Sequence, residues 1–422
     1  MTFNDKSDFV RLVPFLILLS LTLSPMKAFA NSFHLDSGLT GQVRDNESAQ
    51  REVPLNGTLG LGTTADKWDF SGQTDMRLFR DTARGSDDYD LYQATLHIKP
   101  VETIEIDAGR QFINEGFSVG ALDGLRLQLF PSKPVTFTVY SGMPRSVELG
   151  DFNQDDGLLT GASIKIQQIP RTDLKFDFAW KRDSINTADF NQNDSLFVGT
   201  NISHKLPVKG DPYLYGLFEY DLTAKVMNAG TAGLDITPLS RLALNAEFNY
   251  FNVNREFNRP SILSLFTEGR TLSGRLGSTT TLISNRLDFV QSYTYQSIEI
   301  QNTLQRNGHI LETAFQIFFD SIGLQIQPGY YFEKSFGGQL HGVRMGFSEQ
   351  FTDRWTADTT VDYTTYDKVT NNNDNAFSTI VWSGYELLKG WTVAGGFEYN
   401  RNNEFKKDVR GSFKVEYAFD HP

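Results

Sequence analysis

From Asn31 to Phe419 apolar and polar residues alternate with a period of two, and few folds accept that pattern over so long a stretch. Within 172–182, Leu174, Phe176, Phe178 and Trp180 share one face, and Asp173, Lys175, Asp177 and Lys181 share the other. Within 241–253, Leu242, Leu244, Ala246, Phe248 and Tyr250 oppose Arg241, Asn245, Glu247 and Asn249. Trp355, Ala357, Thr359, Val361 and Tyr363 likewise oppose Thr356, Asp358, Thr360 and Asp362. Trp391, Val393, Gly395, Phe397 and Tyr399 oppose Thr392, Glu398 and Asn400. Successive side chains of a strand point to opposite faces, so each segment is a strand with one apolar and one polar side.

The connections alternate in length. Short turns are expected at Lys99–Val101, Phe130–Pro134, Ile169–Arg171, Thr237–Leu239, Asp320–Ser321, Thr352–Arg354 and Leu388–Gly390, and longer polar loops near 142–157, 183–194, 254–268, 301–308 and 368–375. Short on one side and long on the other suits a transmembrane, antiparallel, up-and-down all-β barrel with periplasmic turns and extracellular loops; about 22 strands fit. The segments 54–63 and 212–236 are the least distinct, and merging either pair gives a barrel of about 20. A soluble propeller or solenoid would need a fixed repeat, and none is present.

The N-terminus carries Lys6 and Arg11, the apolar run Leu12 to Leu23 with Pro14 inside it, and Ala28-Phe29-Ala30. This is the tripartite secretory leader, so 1–30 is expected to be cleaved and 31–422 to form the barrel. Beyond Asn31 no apolar run approaches the length of a spanning helix. The chain has no Cys, which excludes a lipoprotein anchor, disulfides, a thiolate metal site, a thiol nucleophile and covalent c-type haem. The net charge of -12 argues against a nucleic-acid partner and suits a pore with a mild preference for cations. Aromatic residues at 13% suit a barrel with a girdle at each membrane interface.

The last strand, Val409 to Phe419, alternates Phe413, Val415, Tyr417 and Phe419. It resembles the C-terminal β-signal of outer-membrane proteins, although Asp420, His421 and Pro422 follow the final aromatic. Gly109-Arg110-Gln111-Phe112, followed by Asp123-Gly124-Leu125-Arg126-Leu127, resembles a strand–loop–strand of alginate-export and related porins. These resemblances imply a porin-like channel in the outer membrane of a Gram-negative bacterium, and assembly through periplasmic chaperones and the barrel-assembly machinery. In such porins inward arginines shape the pore, a role that suits Arg126. Arg110 shares parity with Ile104 and Ile106, so it is expected at the rim or after a bulge.

The candidate pore-lining residues are Arg77, Arg126, Lys165, Lys175, Asp177, Glu247, Arg344, Asp358, Asp362, Glu398, Lys414 and Glu416. A barrel of about 22 strands is too wide for its own side chains to fill. Water, inward-folded loops such as 142–157 and 254–268, or a partner must occupy it; no segment remains for a separate plug domain. Asp151, Asn153 and Asp155 place hard oxygens at alternate positions, which suits Ca2+, and 189–194 repeats the pattern. The EF-hand Gly and Glu are missing, so a solvated loop facing lipopolysaccharide is the preferred reading; the same holds for Asp87-Asp88-Tyr89-Asp90. No other cofactor is expected. No His pair, Gly-x-Ser-x-Gly elbow or P-loop supports an enzyme. The main expectation is passive diffusion of small hydrophilic solutes. The rivals are a sleeve for a partner such as a multihaem cytochrome, and an outer-membrane enzyme.

Overall fold

In a computed structural model of the chain, the described residues are 32–45, 51–65, 70–81, 86–115, 118–145, 157–182, 194–252, 270–300, 304–335, 338–368, 373–402 and 407–421. The leader at 1–30 and the Asp151, Asn153, Asp155 loop lie outside them, as do the side chains of Arg77 and of 87–90.

These residues form a single 23-stranded antiparallel sheet, in which β2 (Arg51–Glu52) only extends the hairpin that follows β1 (Ser32–Asp45). The other 22 strands make a closed ring. Each pairs with its successor, and β23 (Asp408–His421) returns to β1 from Phe33↔His421 to Val43↔Gly411. Closure removes the free outer edges of the sheet, as a bilayer without water demands. The indistinct region 212–236 resolves into two strands, β12 (Tyr213–Asp221) and β13 (Val226–Leu239), joined by a turn at 222–225.

One rim carries tight turns at 102–103, 133–134, 170–171, 240–241, 284–286, 353–354 and 389–390. At the last of these Gly390 takes φ 84° while its carbonyl accepts the Ala418 N–H at 2.8 Å; a Cβ there would run into the Ala418 carbonyl. The opposite rim holds the 222–225 turn, and its other connections run through undescribed residues. Here the expected loop 301–308 is corrected: β17 (Leu304–Phe319) starts at Leu304 and pairs it with Ile300. Gln305, Arg306 and Asn307 are polar on both faces, as a strand projecting past the membrane can be, so no alternation marks them as strand.

The two faces differ as the alternation requires. Phe137, Phe176, Phe178, Phe248, Phe315, Val343, Phe347 and Phe397 project outward and are exposed. Ring pairs stand at both ends of this apolar wall on the C-terminal half of the barrel. Phe351 and Trp355 (4.5 Å between centroids) and Trp391 and Tyr417 (4.6 Å) sit near the tight-turn rim, and Phe332 and His341 (4.8 Å) and Tyr295 and His309 (5.4 Å) near the other. Ring edges and hydroxyls suit the boundary between hydrocarbon and water.

Candidate functional site: the inner wall of the barrel

Strand pairing carries the inner face around the ring without a break. Lys165 stands opposite Lys175, Glu247 opposite Gly233 and Arg275, Arg344 opposite Asp362, and Lys414 opposite Thr40. Followed strand by strand, the backbone positions of all twelve candidates, including Arg77 opposite Thr58, fall on the face turned away from the apolar wall. The acidic loop offered for Ca2+ lies outside the described residues.

The inner wall is not uniformly wet. On β6 (Ile104–Glu115), β7 (Ser118–Ser132), β8 (Val135–Arg145), β9 (Leu158–Ile169) and β10 (Thr172–Arg182), the inward Ile113, Leu122, Tyr140, Leu159 and Ala179 are buried together. Leu122 is 0% exposed and Tyr140 1%. The polar inward residues Asp107, Gln111, Thr138, Ser163 and Asp177 are buried beside them, and Glu219 and Asp221 continue the buried band onto β12. The bare wall of so wide a barrel would be wet, whereas over this arc the inward side chains are covered. From β18 (Leu324–Ser335) round to β23 and β1 several charged inward side chains stay accessible, although Ala394 is buried among them: Arg344 is 60% exposed, Lys414 39%, Glu416 47% and Asp36 50%. The lumen therefore has a covered arc and an open arc.

Each arc holds ion pairs. In the covered arc Arg126 Nε donates to Asp107 Oδ2 at 2.9 Å, while His97 Nδ1 lies 2.7 Å from Asp107 Oδ1. Lys175 Nζ stands 3.3 Å from Asp177 Oδ1. Directly opposed like charges repel across a ladder, so Lys165 and Lys175 are tolerable neighbours because Asp177 offsets one of them. In the open arc Arg344 Nε donates to Asp362 Oδ2 at 2.8 Å, and Tyr331 Oη and Thr364 Oγ1 donate to Asp362 Oδ1 at 2.7 and 2.9 Å. Arg410 reaches Asp408 at 2.7 Å and Glu398 at 3.9 Å, and Lys414 reaches Glu416 at 2.7 Å. Asp358 lies on the same strand and face as Asp362 and is exposed.

Between the arcs, Glu247 accepts Tyr215 Oη and Asn249 Nδ2, each at 2.7 Å, and Thr231 Oγ1 donates to Asn249 Oδ1 at 2.8 Å. Reading the sequence missed His97, Asp107, Tyr215 and Tyr331. Their parity was visible, but only the pairing between strands shows which charge each one meets.

Arg110 departs from its expected place. The β6–β7 ladder runs unbroken from Ile104↔Leu129 to Glu115↔Ser118, so no bulge there turns it inward. It faces outward, where Nε and Nη2 donate to the two Asp123 oxygens at 2.6 and 2.8 Å and Nη1 donates to the Leu91 carbonyl at 2.8 Å.

No protein-family model matches the chain, and no curated protein matches it in sequence. Solved structures are similar in fold. The translocation pore of the P pilus usher PapC overlaps with a TM-score of 0.52 at 8% identity, over 92% of this chain and 99% of that one. Pseudomonas aeruginosa OccK8 (OprE) has a TM-score of 0.48 at 11% identity, over 93% of this chain and 99% of that one. Pseudomonas aeruginosa OpdO has a TM-score of 0.47 at 12% identity, over 92% of this chain and 97% of that one. At these identities the likeness is one of fold, and the usher pore carries it: a closed antiparallel barrel.

Proposed function

We propose that this chain is an outer-membrane channel for passive diffusion of small hydrophilic solutes. The observation that carries the reading is the open arc: a stretch of inner wall from β18 to β1 that is polar, charged and accessible, behind an outer wall that is apolar. A channel needs a continuous wet path with charges that are already compensated, so that a solute is neither expelled nor trapped. Arg344, Asp358, Asp362, Glu398, Lys414 and Glu416 line that path. Arg126, Lys175 and Asp177 belong to the covered arc, which narrows the lumen from one side.

The field inside favours cations. Along β12–β18 the described inner wall carries Glu219, Asp221, Asp235, Glu247, Asp288, Glu312 and Glu333 against Arg275 and, by backbone position, Arg306. In this reading residues 1–30 direct export and are cleaved, and lipopolysaccharide and other outer-membrane lipids surround the apolar wall. Chaperones and the assembly machinery recognise β23 through Phe413, Val415, Tyr417 and Phe419. The test is the refolded mature chain in a planar bilayer with a KCl gradient. Large stable current steps, with a reversal potential on the cation side, support the channel. A folded, heat-modifiable barrel without conductance overturns it and moves the weight to a sleeve filled by a partner.

A further inference from the structure

Among the described residues the outer wall carries a groove near one charged pair. Across β3 (Leu55–Ala65), β4 (Phe70–Asp81), β5 (Ser86–Val101) and β6, the outward residues Thr63, Gly72, Thr74, Ala94 and Ala108 are small, and they leave a groove of about 380 Å3 between Leu61 and Leu96. The rungs of the ladder continue from this groove into a charged pair: Thr74 opposes Ala94, Ala94 opposes Arg110, and Arg110 opposes Asp123. Exposed apolar residues border the pair on the same face: Phe112 at 56%, Leu125 at 52% and Met143 at 43%. Large outward side chains such as Phe176, Phe248, Phe315 and Phe347 stand on other strands of the wall.

Charges turned toward hydrocarbon are costly, and acyl chains offer them nothing. A second protein surface does, because it can surround the pair with polar groups while its side chains fill the groove. Arg110 is 12% exposed and Asp123 23%, so the patch offers a small accessible part of one guanidinium beside one carboxylate, and such a patch is its own electrostatic complement across a two-fold axis. It is also its own steric complement: Phe112 is a protruding ring on the same face as Ala108, next to a hollow lined by Gly72, Ala94 and Ala108. We propose that the outer wall of β3–β7 is the contact face between two copies of this chain, with Arg110 and Asp123 of each set against the same pair of the other and Phe112 of each seated in the other's groove.

The inference rests on the barrel lying in a membrane, as proposed above, and heat-modifiable migration of every variant checks that separately. The chain contains no cysteine, so a single introduced thiol reports unambiguously. Ala94→Cys, Ala108→Cys and a control on the far wall, Val343→Cys, are produced in outer membranes and oxidised with copper phenanthroline. A species of twice the chain mass, several-fold more abundant from position 94 or 108 than from 343, is the expected result. Phe112→Ala in the Ala108→Cys chain reduces it several-fold without loss of the folded barrel. Equal or absent cross-linking at all three positions means lipid covers the groove and overturns the proposal, as does a cross-linked species whose mass is not twice that of the chain.

Discussion

Tyr215 Oη donates a 2.7 Å hydrogen bond to Glu247 Oε2 from two strands away, and it can do so because its ring lies flat over Gly233 on the strand between. Tyr331 repeats the arrangement over Gly342 to reach Asp362. In both cases the missing side chain lets a rigid ring strap three strands together along the inner wall. A Cβ on Gly233 would collide with the Tyr215 ring, so Gly233→Ala must lift the ring into the lumen and break the bond. The expected loss is about 1.5–3 kcal/mol, the usual contribution of a hydrogen bond to a charged group. Tyr215→Phe loses the same bond without lifting the ring. Denaturant unfolding from liposomes should therefore show both variants weakened, while only Gly233→Ala lowers single-channel conductance.

The Arg344–Asp362 pair separates stability from selectivity. Arg344 is 60% exposed, and exposed pairs contribute no more than about 1 kcal/mol. Asp362 keeps Tyr331 and Thr364 when the arginine is removed. Arg344→Met should leave the unfolding midpoint almost unchanged. It removes one positive charge from the open arc, so the reversal potential in a KCl gradient should move toward the potassium limit. An unchanged reversal potential would place the conducting path away from β18–β20, whose last strand is Trp355–Lys368.

Much of this architecture is legible in the residue order, for a physical reason. A strand with lipid on one side and water on the other must alternate, so Phe176 and Phe178 against Lys175 and Asp177 disclose the two faces before any pairing is known. What alternation does not disclose is register. Arg126, Asp107 and His97 meet only because three strands pair at one particular offset. Alternation also falls silent where both faces see water, which is why 304–308 looked like loop. Arg110 was misplaced for a different reason: parity placed it outward, but the rule that charges belong inside suggested a rim or a bulge, and Asp123, thirteen positions on, supplies the compensation.

Gly390 tests how the ring closes. Its φ of 84° is a left-handed conformation, its carbonyl holds the Ala418 N–H, and a Cβ would meet the Ala418 carbonyl. Left-handed backbone alone costs a residue other than glycine about 1–2 kcal/mol, and the collision adds to it. Gly390→Ala should loosen β23 where it leaves the tight-turn rim, the strand that seals the barrel against β1. The expected outcome is a smaller heat-modifiable fraction on refolding, whereas substitution at Gly274, where a Cβ meets nothing within 4 Å, should refold normally.

The Arg110–Asp123 pair predicts a reversal of the usual order of single and double variants. Arg110→Met removes three donated bonds and leaves the Asp123 carboxylate in an apolar wall beside Phe112, Leu125 and Met143. Removing one partner of a desolvated pair typically costs about 3–5 kcal/mol, because the other charge is left uncompensated. Replacing both, as Arg110→Met with Asp123→Leu, leaves no charge to desolvate and extends the apolar wall instead. The double variant should therefore be more stable than Arg110→Met alone, by more than experimental error in liposome unfolding. If the two single losses simply add, the pair is solvated by water at the membrane surface, and the hydrocarbon level assigned to this row of the wall is wrong.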